Sequence, residues 1–228
     1  MLLDSLLDNL DLRVDPFAAC RVADGWRLRL PGNDWVTFHF ILQGEGALRP
    51  GSGELLALGP NTLAIIPPGV VHAIQCGRAQ HETGIEGQPV SRTSLCEFVA
   101  GPLDKLCMTV ACGRILVKYA GGAGLFDHLK EAIVLDFSDS PRMRSIFESL
   151  IEEYQETGAG RAAMMSALMN QCLIHVLRRL NQEADGSLPW LTALDDPRIA
   201  RVIETILDHP EQPHTLELLA NPTCGQPG

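Results

Sequence analysis

Four side chains stand out for the chemistry they can do: His39, His72, Cys76 and Cys112. Imidazole nitrogen and thiolate sulfur are the donors that zinc and other divalent transition metals accept. A reduced metal site drawn from His39, His72, Cys112 and Cys76 is therefore one expectation. The spacing is long-range and contains no compact ligand motif such as a CxxC pair. The competing expectation makes the histidines hydrogen-bonded core residues and the cysteines small buried hydrophobes. Nucleophilic catalysis has no visible basis, because no serine or cysteine sits in a recognisable elbow or triad, and no glycine-rich phosphate loop is present. His81 and His128 read as surface residues, and the lone His175 on a helix is less informative still.

The elements that must position these groups are short and β-rich. Residues 36–42 (Val-Thr-Phe-His-Phe-Ile-Leu) are β-branched and aromatic and close on Gln43-Gly44-Glu45-Gly46, a strand ending in a turn. Alternation places His39 on one face with Thr37 and Ile41, opposite Phe38, Phe40 and Leu42. A reversal at 50–53, an apolar run at 55–58, a turn at 59–61 and a second run at 63–66 lead to Pro67-Pro68-Gly69, just before His72. This pattern of two strand pairs predicts a compact β-sandwich or barrel.

On either side the pattern changes. Leu2, Leu3, Leu6, Leu7 and Leu10 predict a short amphipathic helix over 1–12, and Trp26, Leu28 and Leu30 predict a half-buried strand late in 15–30. The polar, glycine-rich stretch 76–89 reads as a mobile loop. Strands follow at 93–99 and 107–117, the latter interrupted by Gly113, as at a bulge or a close backbone approach. From about residue 125 the pattern is helical. Ser140 and Pro141 open a helix to residue 154, and a second helix over 161–181 is apolar over more than one face, as for burial on two sides including a partner subunit. A polar linker over 183–188, a helix from 196 to Pro210, a last short helix at 216–220 and a frayed tail at 221–228 complete the reading.

Composition bounds the function. The 228 residues are 46% hydrophobic, enough for a buried core, and the formal net charge of −10 disfavours a large nucleic-acid footprint. The N-terminal residues resemble neither a signal peptide nor a membrane span, which makes the cytoplasm the default location. Seven cysteines form an odd set, so most are expected as buried free thiols rather than a disulfide framework.

Taken in order, Phe38-His39-Phe40-Ile41-Leu42-Gln43-Gly44-Glu45-Gly46, Leu58-Gly59 and Ile65-Ile66-Pro67-Pro68-Gly69-Val70-Val71-His72 resemble the sensory domain of AraC-type transcription regulators, a cupin β-barrel. Ala111-Cys112-Gly113-Arg114, Trp190-Leu191 and Asp196-Pro197-Arg198-Ile199 look like the subfamily that joins a cupin to a helical DNA-binding domain. The resemblance covers roughly residues 20–220 and implies an α+β fold: a jelly-roll-like cupin barrel over 15–120, a helical dimerisation region packed on it over 121–182, and an incomplete helix-turn-helix domain over 190–220, with 221–228 a disordered tail. It implies a pocket containing His39, Ile41 and His72, a small-molecule effector and a homodimer. Residues 196–203, His209-Pro210 and 215–220 are similar to the first helix of the family's DNA-binding domain and the start of its next. The match stops at Asn221, ahead of the recognition helix that reads the major groove, so this chain is expected not to bind DNA specifically. The alternative implied by the fold is a small metal-dependent cupin enzyme, an isomerase or dioxygenase. Such enzymes usually carry a His-x-His pair, whereas here Phe40-Ile41 follow His39. The expectation is therefore a regulator and not an enzyme, with no membrane partner.

Overall fold

The computed structural model describes residues 10–85, 96–119, 124–127, 129–156, 158–183, 188, 196–209 and 212–215. Its frame is a 21-residue strand, β1 (Leu10–Leu30), from which the rest of the sheet is built outward in both directions. Strands β2 (Val36–Gln43), β3 (Gly46–Pro50), β4 (Leu56–Leu58), β5 (Thr62–Ile66), β6 (His72–Gly84), β7 (Cys96–Ala100), β8 (Leu106–Tyr119) and β9 (Ile133–Asp136) follow in the chain. Their spatial order is β4-β3-β6-β1-β8-β2-β5-β9, with β7 added parallel to β1, giving a nearly closed mixed barrel. Among the described residues three helices accompany it: α1 (Pro141–Gln155), α2 (Arg161–Glu183) and α3 (Pro197–Asp208). The α+β class and the barrel expected from the sequence are both present.

Three local expectations are corrected. Leu10 to Leu12 are not helical: they pair with Tyr119 to Val117 of β8, so strand pairing overrides a helical spacing of leucines. Residues 1–9, which carry the remainder of that expected helix, lie outside the described residues, as do His128, 190–195 and 216–228. The expected loop after Cys76 is strand as far as Gly84, with residues 81–84 returning along Trp26–Arg29. Its outer half is mostly exposed, which is why no apolar alternation marks it. Third, β9 pairs with β5 where the pattern predicts helix; four residues are too short to declare a period.

The strand alternation separates two cores. Phe38 and Phe40 point out of the barrel into a cluster with Met143, Ile146, Phe147 and Leu150 of α1 and Met169, Leu173, Val176 and Leu177 of α2. Ile41, Ala64, Ile66, Ile74, Val110 and Cys112 point inward and fill the barrel with Leu28, Leu48 and Met108. Gly113 marks the close approach that its place in a strand predicts: a Cβ there would come within 2.8 Å of the Phe17 ring. Gly44 turns the chain at φ +83°, and a Cβ on it would strike the Cys107 carbonyl oxygen, so the Gly-Glu-Gly turn requires glycine at its first position. Ser140 precedes α1 as expected, with Pro141 in the first turn, but its hydroxyl makes no cap bond. Asp196 does cap α3, accepting from the Arg198 backbone N–H at 2.9 Å.

Candidate functional site

Register brings the candidate residues together. On β2, His39 lies opposite Ala64 of β5 on one side and Cys112 of β8 on the other. His72 opens β6, opposite Leu30 of β1 and Pro50 of β3. The two histidines thus come from opposing walls of the barrel and meet across its interior, with Nε2 atoms 2.7 Å apart. The turn before His72 aims it: Gly69 has φ +77°, its N–H donates to the Asn33 carbonyl at 2.7 Å, and Val70 leaves its own carbonyl 3.0 Å from His72 Nδ1.

That carbonyl assigns the tautomers. A carbonyl oxygen only accepts, so His72 carries its proton on Nδ1 and offers a lone pair at Nε2. His39 then donates from Nε2, leaving its Nδ1 to accept from the Cys112 thiol at 3.1 Å. Cys112 Sγ in turn lies 2.7 Å from Cys20 Sγ of β1. The result is a buried line of polar groups, Cys20–Cys112–His39–His72–Val70, crossing from one wall to the other. His39 is 0% exposed and His72 2% exposed. Burial holds both imidazoles below their ordinary range, the nearby His72 adding to the effect on His39, and the Val70 carbonyl partly opposes it at His72. Burial, then contact with Cys20, pushes the Cys112 thiol well up. His39, His72 and Cys112 are therefore neutral at pH 7, and the line is a hydrogen-bonded cross-brace rather than a charged centre.

This geometry does not fit a resident metal ion. Two imidazoles on one tetrahedral zinc place their nitrogens about 3.3 Å apart, wider than the direct hydrogen bond seen here. The two ring nitrogens of His39 face opposite ways, one to His72 and one to Cys112, so the lone pairs of the three residues do not converge. Cys76 is removed from the set by a disulfide to Cys107. Among the described residues no group of three or more His, Cys, Asp and Glu is arranged to hold a metal. Ile41 is fully buried on the same inward face as His39. Cys20 joins the line with no local mark in the sequence to announce it, since only the pairing of β1 with β8 brings it to Cys112.

Cys20, Cys112 and Cys172 are buried free thiols, as expected for most of the cysteines, and the Cys76–Cys107 disulfide stands beside them. Proteolytic mapping without reductant is expected to recover a peptide joining Cys76 to Cys107, with Cys20, Cys112 and Cys172 alkylated only after unfolding. Recovery of Cys107 as a freely alkylated thiol in the native protein would contradict the pairing.

A nearly closed barrel around its own apolar core, with a histidine delivered by a Pro-x-Gly-x-x-His turn, is the arrangement expected of a cupin. The chain belongs to that family: residues 2–182 match the model described as Cupin. It is similar to the HTH-type transcriptional regulator AlkR of Acinetobacter baylyi, 24% identical over 238 residues that cover 97% of this chain and 74% of AlkR. Among solved structures, the putative glyoxylate induced protein of Pseudomonas aeruginosa matches 58% of this chain and 42% of its own, with 16% identity and a TM-score of 0.27. ToxT of Vibrio cholerae, solved with a bound unsaturated fatty acid, matches 92% of this chain and 67% of its own, with 7% identity and a TM-score of 0.37. Among the described residues, no helix is long and apolar enough to cross a membrane.

Proposed function

We propose that this chain is the effector-sensing and dimerisation part of an AraC-type transcription regulator. The observation that carries the reading is the likeness to a transcriptional regulator over 97% of the chain, through the barrel and the helices alike. The sensing element is the barrel interior at His39, Ile41 and His72. The His39–His72 bond ties the two walls, so an effector that takes over either imidazole changes how they are braced. The helical pair α1 and α2 packs on the outside of the same wall, through Phe38 and Phe40 on one side and Phe147 on the other, and carries the change to a second copy. Met164, 51% exposed on α2, supplies apolar surface for that contact. An effector shifts the dimer only by its differential affinity for the two arrangements.

The test combines a thermal-shift screen of small metabolites with sedimentation analysis of any hit. A true effector at a hundredfold excess over its Kd stabilises the protein by about 2.7 kcal/mol, a shift of roughly 5–10 °C for a chain of this size. It also moves the monomer–dimer equilibrium. A hit that is turned over to product, with no effect on self-association, would favour the enzyme instead.

A further inference from the structure

Outside the barrel, α1 and α2 enclose an open groove of about 600 Å³, within the size range of small-molecule sites. Ile146 of α1 and Leu168 and Ile174 of α2 give it an apolar floor. Arg142, His175 and Arg178 bring three basic side chains to the same groove. The other described lining groups are a proline, two serine hydroxyls and a glutamine amide, with no carboxylate among them. These are unusual surroundings for two arginines in a chain of net charge −10, where acidic partners are plentiful. Elsewhere the helices use them: Arg144 pairs with Glu148, and Arg179 with Asp139. Arg142 and Arg178 instead stay close enough to His175 to help burial hold its imidazole below the ordinary range.

We propose that this groove is a binding site for a small organic anion with an apolar body, its acidic group held by Arg142 and Arg178 and its hydrocarbon laid on Ile146, Leu168 and Ile174. Charge complementarity selects this occupant: an anion makes charge-assisted hydrogen bonds to the two guanidiniums that line the groove, while the floor removes apolar surface from water. A second copy docked symmetrically on the same groove brings like charges together instead. The site lies outside the barrel, on α1 and α2, the helices to which the regulatory reading assigns the contact with a second copy.

Titration calorimetry with octanoate, octyl phosphate, 1-octanol and inorganic phosphate tests it on the full chain, together with ¹³C-methyl spectra of isoleucine-labelled protein. Saturable binding of octanoate or octyl phosphate is expected, at least tenfold tighter than either octanol or phosphate alone. Which of the two binds more tightly identifies the acidic group preferred. The Ile146 and Ile174 methyl signals should shift while Ile41, Ile66 and Ile74 in the barrel stay in place. Arg142→Ala and Arg178→Ala should each weaken binding about tenfold; both residues are exposed, so the fold survives, as an unchanged melting curve would verify. Shifts confined to the barrel isoleucines would overturn the groove site and leave effector sensing standing. Equal binding of octanol and octanoate would overturn it too, as would self-association that occupies the groove and ignores the anion.

Discussion

Replacing Phe147 by alanine is expected to destabilise the protein by about 3–5 kcal/mol, the range for removing a fully buried aromatic ring. Phe147 is 0% exposed and stacks parallel on Phe40 of β2 with ring centroids 4.4 Å apart. Phe17 of β1 is also close, with centroids 6.4 Å apart. One ring of α1 thus contacts two strands of the wall that also carries His39, and its loss opens a cavity between rigid elements that cannot readily collapse. At about 2–4 °C per kcal/mol for a chain of this length, the melting temperature should fall by roughly 10 °C. Urea unfolding of Phe147→Ala and Phe147→Leu measures it, the leucine variant losing less. A loss under about 1 kcal/mol for alanine would mean that the helices do not depend on this contact.

The second large effect is with acid. His39 and His72 are both held below their unfolded range, so the unfolded chain takes up protons first as pH falls. Their contribution to stability is present above about pH 6.5 and is lost as the pH drops toward the lowered folded values. At pH 5.5 the penalty is about 1.4 kcal/mol for each imidazole that stays neutral in the fold, and up to twice that for the pair. His175 is lowered in the same direction but is less buried and adds a smaller share. Removing one partner should be worse than removing both. His72→Ala leaves the His39 N–H buried without an acceptor, at a cost of roughly 1–3 kcal/mol. The double variant His39→Leu/His72→Leu replaces both polar groups and should flatten the stability profile between about pH 7 and 5.5. If that variant keeps the wild-type slope, the histidines are not the acid-sensitive groups. Asp136 and Asp196, whose carboxyls are lowered first by hydrogen bonds to Ser138 and Arg198, lose their contribution only at more acidic pH.

Much of the site is legible in the sequence because its local parts are self-sufficient. Alternation along β2 alone separates His39 and Ile41 from Phe38 and Phe40, and Pro67-Pro68-Gly69 announces the turn that delivers His72. The first glycine of the Gly-Glu-Gly turn and the interruption at Gly113 both mark close approaches, of the Cys107 backbone to Gly44 and of the Phe17 ring to Gly113. The start of α3 is equally readable, since Asp196 and Pro197 satisfy the helix end by themselves. Less legible are the strand at Leu10–Leu12, the outer half of β6 and β9, where pairing partners distant in the chain outweigh local preference.

What the sequence determined by itself is therefore periodicity: which faces are apolar and where the chain turns, while the placing of His39 and His72 in one barrel pocket came from the family resemblance. Tertiary structure decided which face of β2 points inward, that the two imidazoles bond to each other rather than converge on an ion, that Cys20 stands beside Cys112, and that Cys76 is joined to Cys107. It also decided that Arg142 and Arg178, 36 residues apart in the chain, share one groove. The physical reason is the same in each case. Propensity and alternation act over a few neighbouring residues, whereas hydrogen bonds, disulfides and charge clusters depend on strand register and helix packing, which only the folded chain sets.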